Sequence, residues 1–74
     1  MPAVFKLSDG SLTGTVDGSN ATFYLAYPLS RVIVHLNGSA LIEGDHFTQF
    51  ANVVTFLYPF IPEAGAEIMI EGWL

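Results

Sequence analysis

Four consecutive residues, Glu43-Gly44-Asp45-His46, hold the densest group of side chains that could do chemistry, and His35 lies a little upstream. Two carboxylates and an imidazole so close together suggest a metal site, with His35 as a further ligand. A metal centre needs three or four ligands that converge on one point, whereas neighbouring strand residues point to opposite faces. Asp45 and His46 cannot both aim at one ion from a strand. The pattern reads better as a corner in which Gly44 takes a positive φ, Asp45 hydrogen-bonds nearby backbone amides and a strand restarts at His46.

The other polar motifs also read as structure. Asp9-Gly10-Ser11 and Asp17-Gly18-Ser19 repeat a short acidic pattern, but a calcium loop gathers its oxygen ligands in one dense loop, and a strand candidate separates these two. Both are turns. Asn20-Ala21-Thr22 and Asn37-Gly38-Ser39 match the N-glycosylation acceptor, and Asn37 is already accounted for by a turn. There is no Ser/His/Asp set in a recognisable context, no glycine-rich phosphate loop opening a helix, and no carboxylate pair placed for acid–base work. We therefore expect no catalytic residue, no cofactor and no bound metal. The chain is not expected to be an enzyme.

The elements that would position any site are short. Turn residues recur at roughly 8–12-residue spacing, between runs rich in β-branched and aromatic side chains. No window carries a helical period. The expectation is one all-β domain over residues 1–74, a small antiparallel sandwich or barrel of about six to eight strands. Strand candidates are residues 3–7, with Lys6 guarding an edge, then 12–16, weakened by Gly14, and 21–27 and 31–36. Residues 39–42 pair back across Asn37-Gly38, a strong hairpin signal. A second hairpin joins 46–50 to 53–58 around Ala51-Asn52, and 66–73 closes the sheet. Alternation puts Phe23, Leu25 and Tyr27 on one face and Tyr24 on the other; it also separates Val32, Val34 and Leu36 from Ile33 and His35.

Composition sets the class of partner. Charged residues make up 12% of the 74 and hydrophobic ones 51%, with no cysteine to form a disulfide. A typical domain carries about 25% charged residues, and a chain this small has too much surface to hide so many apolar groups. Several strands are apolar on both faces, so a partner is expected to cover one of them. The net charge is −5 and the only Lys or Arg residues are Lys6 and Arg31, which excludes a phosphate-binding stripe and hence nucleic acid. Apolar runs stay far below the roughly 18 residues that a membrane helix needs, and the N-terminal MPAVFKLSDG does not read as a signal peptide. The candidate partner-facing residues are Tyr24, Tyr27, Ile33, His35, Tyr58, Met69, Trp73 and Leu74. His35 could serve as a pH-sensitive interface residue but reads better as a half-buried strand residue.

One further pattern runs through residues 17–72. It opens with Asp17, Gly18, Ser19, Thr22, Phe23, Leu25, Tyr27 and Pro28, and continues with Val32, Val34, Leu36, Asn37 and Gly38. Gly44, Asp45, His46, Phe47 and Thr48 come next, then Val54, Thr55 and Phe56, and last Pro62, Ala64, Gly65, Ile68 and Ile70. This order resembles the small β-module of bacteriophage virion proteins, notably the N-terminal attachment domain of short-tailed phage tail fibres and related head and tail surface proteins. The resemblance implies structural positions with no catalytic residue among them. Tail fibres continue into a trimeric shaft and a receptor-binding tip that these residues do not contain, so the implied role is attachment.

The expectation is a virion structural protein, a head decoration or cement protein or a tail-attachment module, assembled in the host cytoplasm. It would contact capsid or tail subunits through apolar faces as a homo-oligomer, without nucleic acid or membrane. The alternative is a carbohydrate- or receptor-binding module using Tyr24, Tyr27, Tyr58 and Trp73, which requires those aromatics to line a groove.

Overall fold

The computed structural model describes residues 3–74, and among them every regular element is a strand. The strands are β1 (Ala3–Lys6), β2 (Leu12–Thr13), β3 (Thr22–Leu25), β4 (Arg31–Leu36), β5 (Ser39–Ala40), β6 (Phe47–Phe50), β7 (Val53–Phe56) and β8 (Ile68–Trp73). They form two four-stranded antiparallel sheets, the first in the order β1-β8-β4-β5 and the second in the order β2-β3-β7-β6. The expected all-β sandwich is present. β8 enters between β1 and β4, so the last strand completes the first sheet.

The two hairpins form where turn chemistry placed them. Asn37 and Gly38 both have positive φ, as a two-residue primed turn requires, and Ala51 has positive φ in the second hairpin. The strands are shorter than the sequence pattern suggests. β2 stops at Thr13 because the chain bends at Gly14, where φ is 150° and a β-carbon would strike the Phe23 ring. β3 ends at Leu25, so Tyr27 leaves the core-facing row; it stays 41% exposed and packs edge-on against Phe5, with ring centroids 5.2 Å apart. β5 covers only Ser39–Ala40, β7 ends at Phe56, and β8 starts at Ile68 rather than at Ala66.

Alternation fills the space between the sheets. Phe5, Val32, Val34, Ile68 and Ile70 point inward from the first sheet, and Leu12, Phe23, Leu25, Phe47, Val54 and Phe56 from the second. Phe23 and Phe56 meet edge to face with centroids 5.6 Å apart, a favoured aromatic geometry. No polar or charged residue is buried among the described residues, and no buried side-chain nitrogen or oxygen there lacks a partner. Leu29, in the β3–β4 connection, closes one end of this layer against Gly72 of β8, where a β-carbon would collide with its Cδ1. Gly72→Ala should therefore destabilise the fold by roughly 1–3 kcal/mol through overpacking. In a thermal melt this appears as a loss of at least about 4 °C in Tm; an unchanged Tm would contradict the packing of Leu29.

Candidate functional site

Alternation also fixes what points away from the core. On the outer face of the first sheet, β1 presents Val4 and Lys6, β8 presents Met69, Glu71 and Trp73, and β4 presents Arg31, Ile33 and His35. The strand register makes these into rows: Val4, Glu71 and Ile33 lie side by side, as do Lys6, Met69, His35 and Ala40, and Trp73 lies beside Arg31. Val4 is 46% exposed, while Ile33, Met69 and Trp73 are half-buried among their neighbours. The Arg31 guanidinium sits 4.6 Å from the centroid of the Trp73 ring, within reach of a cation–π attraction. His35 Nε2 and Glu71 Oε1 are 2.9 Å apart, tying β4 to β8 across the face. The result is an apolar centre crossed by two polar ties that hold its side chains in place.

Of the eight residues expected to face a partner, the fold gathers Ile33, His35, Met69 and Trp73 on this one surface, with Leu74, 87% exposed, continuing from its end. It does not bring the other three there. Tyr24 lies on the outer face of the second sheet, Tyr27 in the β3–β4 connection and Tyr58 in the β7–β8 connection. Tyr24, Tyr27, Tyr58 and Trp73 therefore line no common groove. Val4 was not singled out from the sequence, although its place on an edge strand beside Lys6 carried the signal.

The outer face of the second sheet has a different character. One row runs Thr13, Tyr24, Val53 and Phe50, and the next runs Thr22, Thr55 and Thr48. None of these side chains is charged, and Phe50 is 83% exposed.

The Glu43–His46 cluster is a corner, as expected, but a different side chain holds it. Gly44 has a φ of 91°, and its N–H donates to the Phe47 carbonyl at 2.7 Å. The Ile42 N–H donates to His46 Nδ1 at 2.8 Å, so the imidazole, rather than the Asp45 carboxylate, satisfies the corner's backbone. The His46 ring also packs edge-on against Phe60, with centroids 4.4 Å apart. The strand restarts at Phe47, one residue later than expected. Among the described residues no three His, Cys, Asp or Glu side chains are grouped to hold a metal ion.

Both acidic turns are closed by their own aspartates. Asp9 Oδ1 accepts from the Ser11 N–H at 2.9 Å, and Asp17 Oδ1 accepts from the N–H groups of Ser19 and Asn20 at 2.8 Å each. The Ser11 hydroxyl, with its backbone N–H, holds Asp9 below the usual aspartate pKa, and the Ser19 and Asn20 amides do the same for Asp17. Asn20 Nδ2 donates to the carbonyls of Thr15 and Thr22, which gives this sequon asparagine a structural task.

An open cleft of about 440 Å³ lies beside the β1–β8 pair, lined by Lys6, Leu7, Ser8, Ala66, Glu67, Ile68 and Met69. Its one hydroxyl, Ser8, has no histidine in the lining beside it. Comparison with known proteins finds no matching family model, no matching curated protein and no matching solved structure.

Two outcomes follow. A carboxylate with a depressed folded-state pKa stabilises above its unfolded pKa, and that contribution is lost as pH falls through the folded value. Thermal melts should show Asp17→Ala less stable than the parent at pH 7, with the gap closing as pH falls below the ordinary aspartate value of 3.8. A gap that persists at pH 2 would contradict the role of the charge. His46→Ala should cost about 0.5–1.5 kcal/mol, the net worth of one hydrogen bond at an exposed corner; amide exchange at Ile42 should accelerate, and unchanged protection would contradict the assignment.

Proposed function

We propose that this chain is a non-enzymatic structural module of a bacteriophage virion, attaching to capsid or tail subunits through the outer face of its first sheet. The observation that carries the reading is the ordered apolar surface of Val4, Ile33, Met69 and Trp73, which the core does not use. The fold satisfies its interior without these side chains, so their presence on one face calls for a second surface to cover them. The resemblance of residues 17–72 to virion attachment modules supplies the biological setting.

The sizes are compatible. A standard contact takes roughly 800 Å² from each partner, and the whole surface of this protein is 4352 Å². One face of the sandwich is thus a reasonable footprint. Burying several hundred Å² of apolar area contributes on the order of 10 kcal/mol before the cost of association. The mechanism is burial on a prepared surface, with Arg31–Trp73 and His35–Glu71 limiting the side-chain freedom lost on docking.

The test is attachment itself. A tagged copy should co-sediment with virions of the phage that encodes it, and Ile33→Asp should release it while leaving its melt cooperative. A tagged copy that stays at the top of the gradient, or an Ile33→Asp variant that still travels with the particles, would overturn the proposal.

A further inference from the structure

Each sheet has two edges, and an edge strand offers unpaired backbone groups to another chain. The first sheet ends in β1 and β5, the second in β2 and β6. β2 and β5 are two residues long, too short to start a ladder. β6 has four residues, but the chain itself covers that edge: Glu43 bridges to Phe47, and the Gly44 N–H donates to the Phe47 carbonyl. β1 also has four residues, and among the described residues no backbone group bonds to its outer side.

A side chain stands there instead. Strand residues turn their N–H and C=O groups to alternate sides. Lys6 turns its pair away from β8, since its N–H donates to Ser11 Oγ at 2.9 Å. Val4 therefore faces the same way, while Ala3 and Phe5 face β8. The Ser11 oxygen covers both outward groups of Lys6, because it also lies 3.3 Å from the Lys6 carbonyl. Its position is fixed from two sides. Asp9 Oδ1, an acceptor when ionised, takes the hydroxyl proton and the Ser11 N–H, which leaves the hydroxyl's lone pairs for Lys6. The Ser11 carbonyl accepts from the Ala26 N–H at 3.0 Å, anchoring the residue beside β3 of the second sheet.

We infer that Asp9 and Ser11 form a guard that keeps β1 from pairing with the β1 of a second copy. Laid antiparallel about a two-fold axis, two β1 strands match Val4 of each with Lys6 of the other. Both pairs need the Lys6 groups, so one hydroxyl per copy blocks the whole ladder. The Lys6 charge alone does not forbid this register, since it meets Val4 rather than another Lys6. Without the guard, two first sheets join into one of eight strands. The guard acts at the edge and leaves the outer face of the first sheet free.

The experiment is sedimentation equilibrium on the full chain, with amide exchange at Val4 read over the same concentrations. Ser11→Ala should dimerise at least about tenfold more tightly than the parent, because several backbone hydrogen bonds are gained. The Val4 amide should gain protection with concentration in this variant and not in the parent. Ser11→Thr keeps a hydroxyl and should behave as the parent. Adding Val4→Pro to Ser11→Ala removes an outward N–H without touching the β1–β8 ladder, and should return association to the parental level. Asp17→Ala weakens a different turn and leaves the guard intact, so it should not raise association. If Ser11→Ala fails to fold, Asp9→Ala, which releases the hydroxyl, carries the same expectation. A variant without the guard that associates no more tightly than the parent would overturn the inference. So would a rise matched by Asp17→Ala, or one that Val4→Pro does not reverse.

Discussion

A single layer of apolar side chains packed between two four-stranded sheets fills the interior, and the pleat of each strand sends its remaining side chains outward. Phe5, Phe23, Phe47 and Phe56 anchor that layer from both sides, and no polar group interrupts it among the described residues. In so small a domain the layer cannot be thickened. A strand such as β4, which reads Arg-Val-Ile-Val-His-Leu, must place Ile33 and His35 outside once Val32 and Val34 are inside. The apolar outer face is therefore a direct consequence of the strand period meeting a sequence with more apolar residues than one core can hold.

That constraint explains which features could be read from the sequence. The sandwich, both hairpins and the two-sided character of β4 and β8 were all legible, because period-2 alternation and turn residues are local signals. Strand ends were less so. β3 ends at Leu25 and β8 starts at Ile68 because connections cross between the sheets there, and that is decided by tertiary packing. Gly14 and Gly72 illustrate the limit: each is ordinary in the sequence, yet each lies where Phe23 or Leu29 leaves no room for a β-carbon. The corner at Glu43–His46 was legible as a turn, but its acceptor was not. Asp45 looked like the capping residue, whereas geometry puts His46 Nδ1 at the Ile42 amide.

Of the candidate partner-facing residues, those in strands could be grouped by register and those in connections could not. Ile33, His35, Met69 and Trp73 share a face because β4 and β8 pair along their full length, from Arg31 with Trp73 to Leu36 with Ile68. Tyr27 and Tyr58 sit in connections, where no period fixes direction. Tyr24 and Trp73 belong to different sheets, so the four aromatics Tyr24, Tyr27, Tyr58 and Trp73 do not share one face.

The central claim is that the outer face of the first sheet is covered when the protein is in its working state. Trp73 is the chain's single tryptophan and lies half-exposed on that face beside Arg31, so its fluorescence reports on the surface directly. The measurement is acrylamide quenching of Trp73 in the free protein and in the protein bound to virions. The account predicts that binding shifts the emission to the blue and sharply reduces quenching. Emission and quenching that stay the same on the particle would show that attachment leaves this face open, and would contradict the claim.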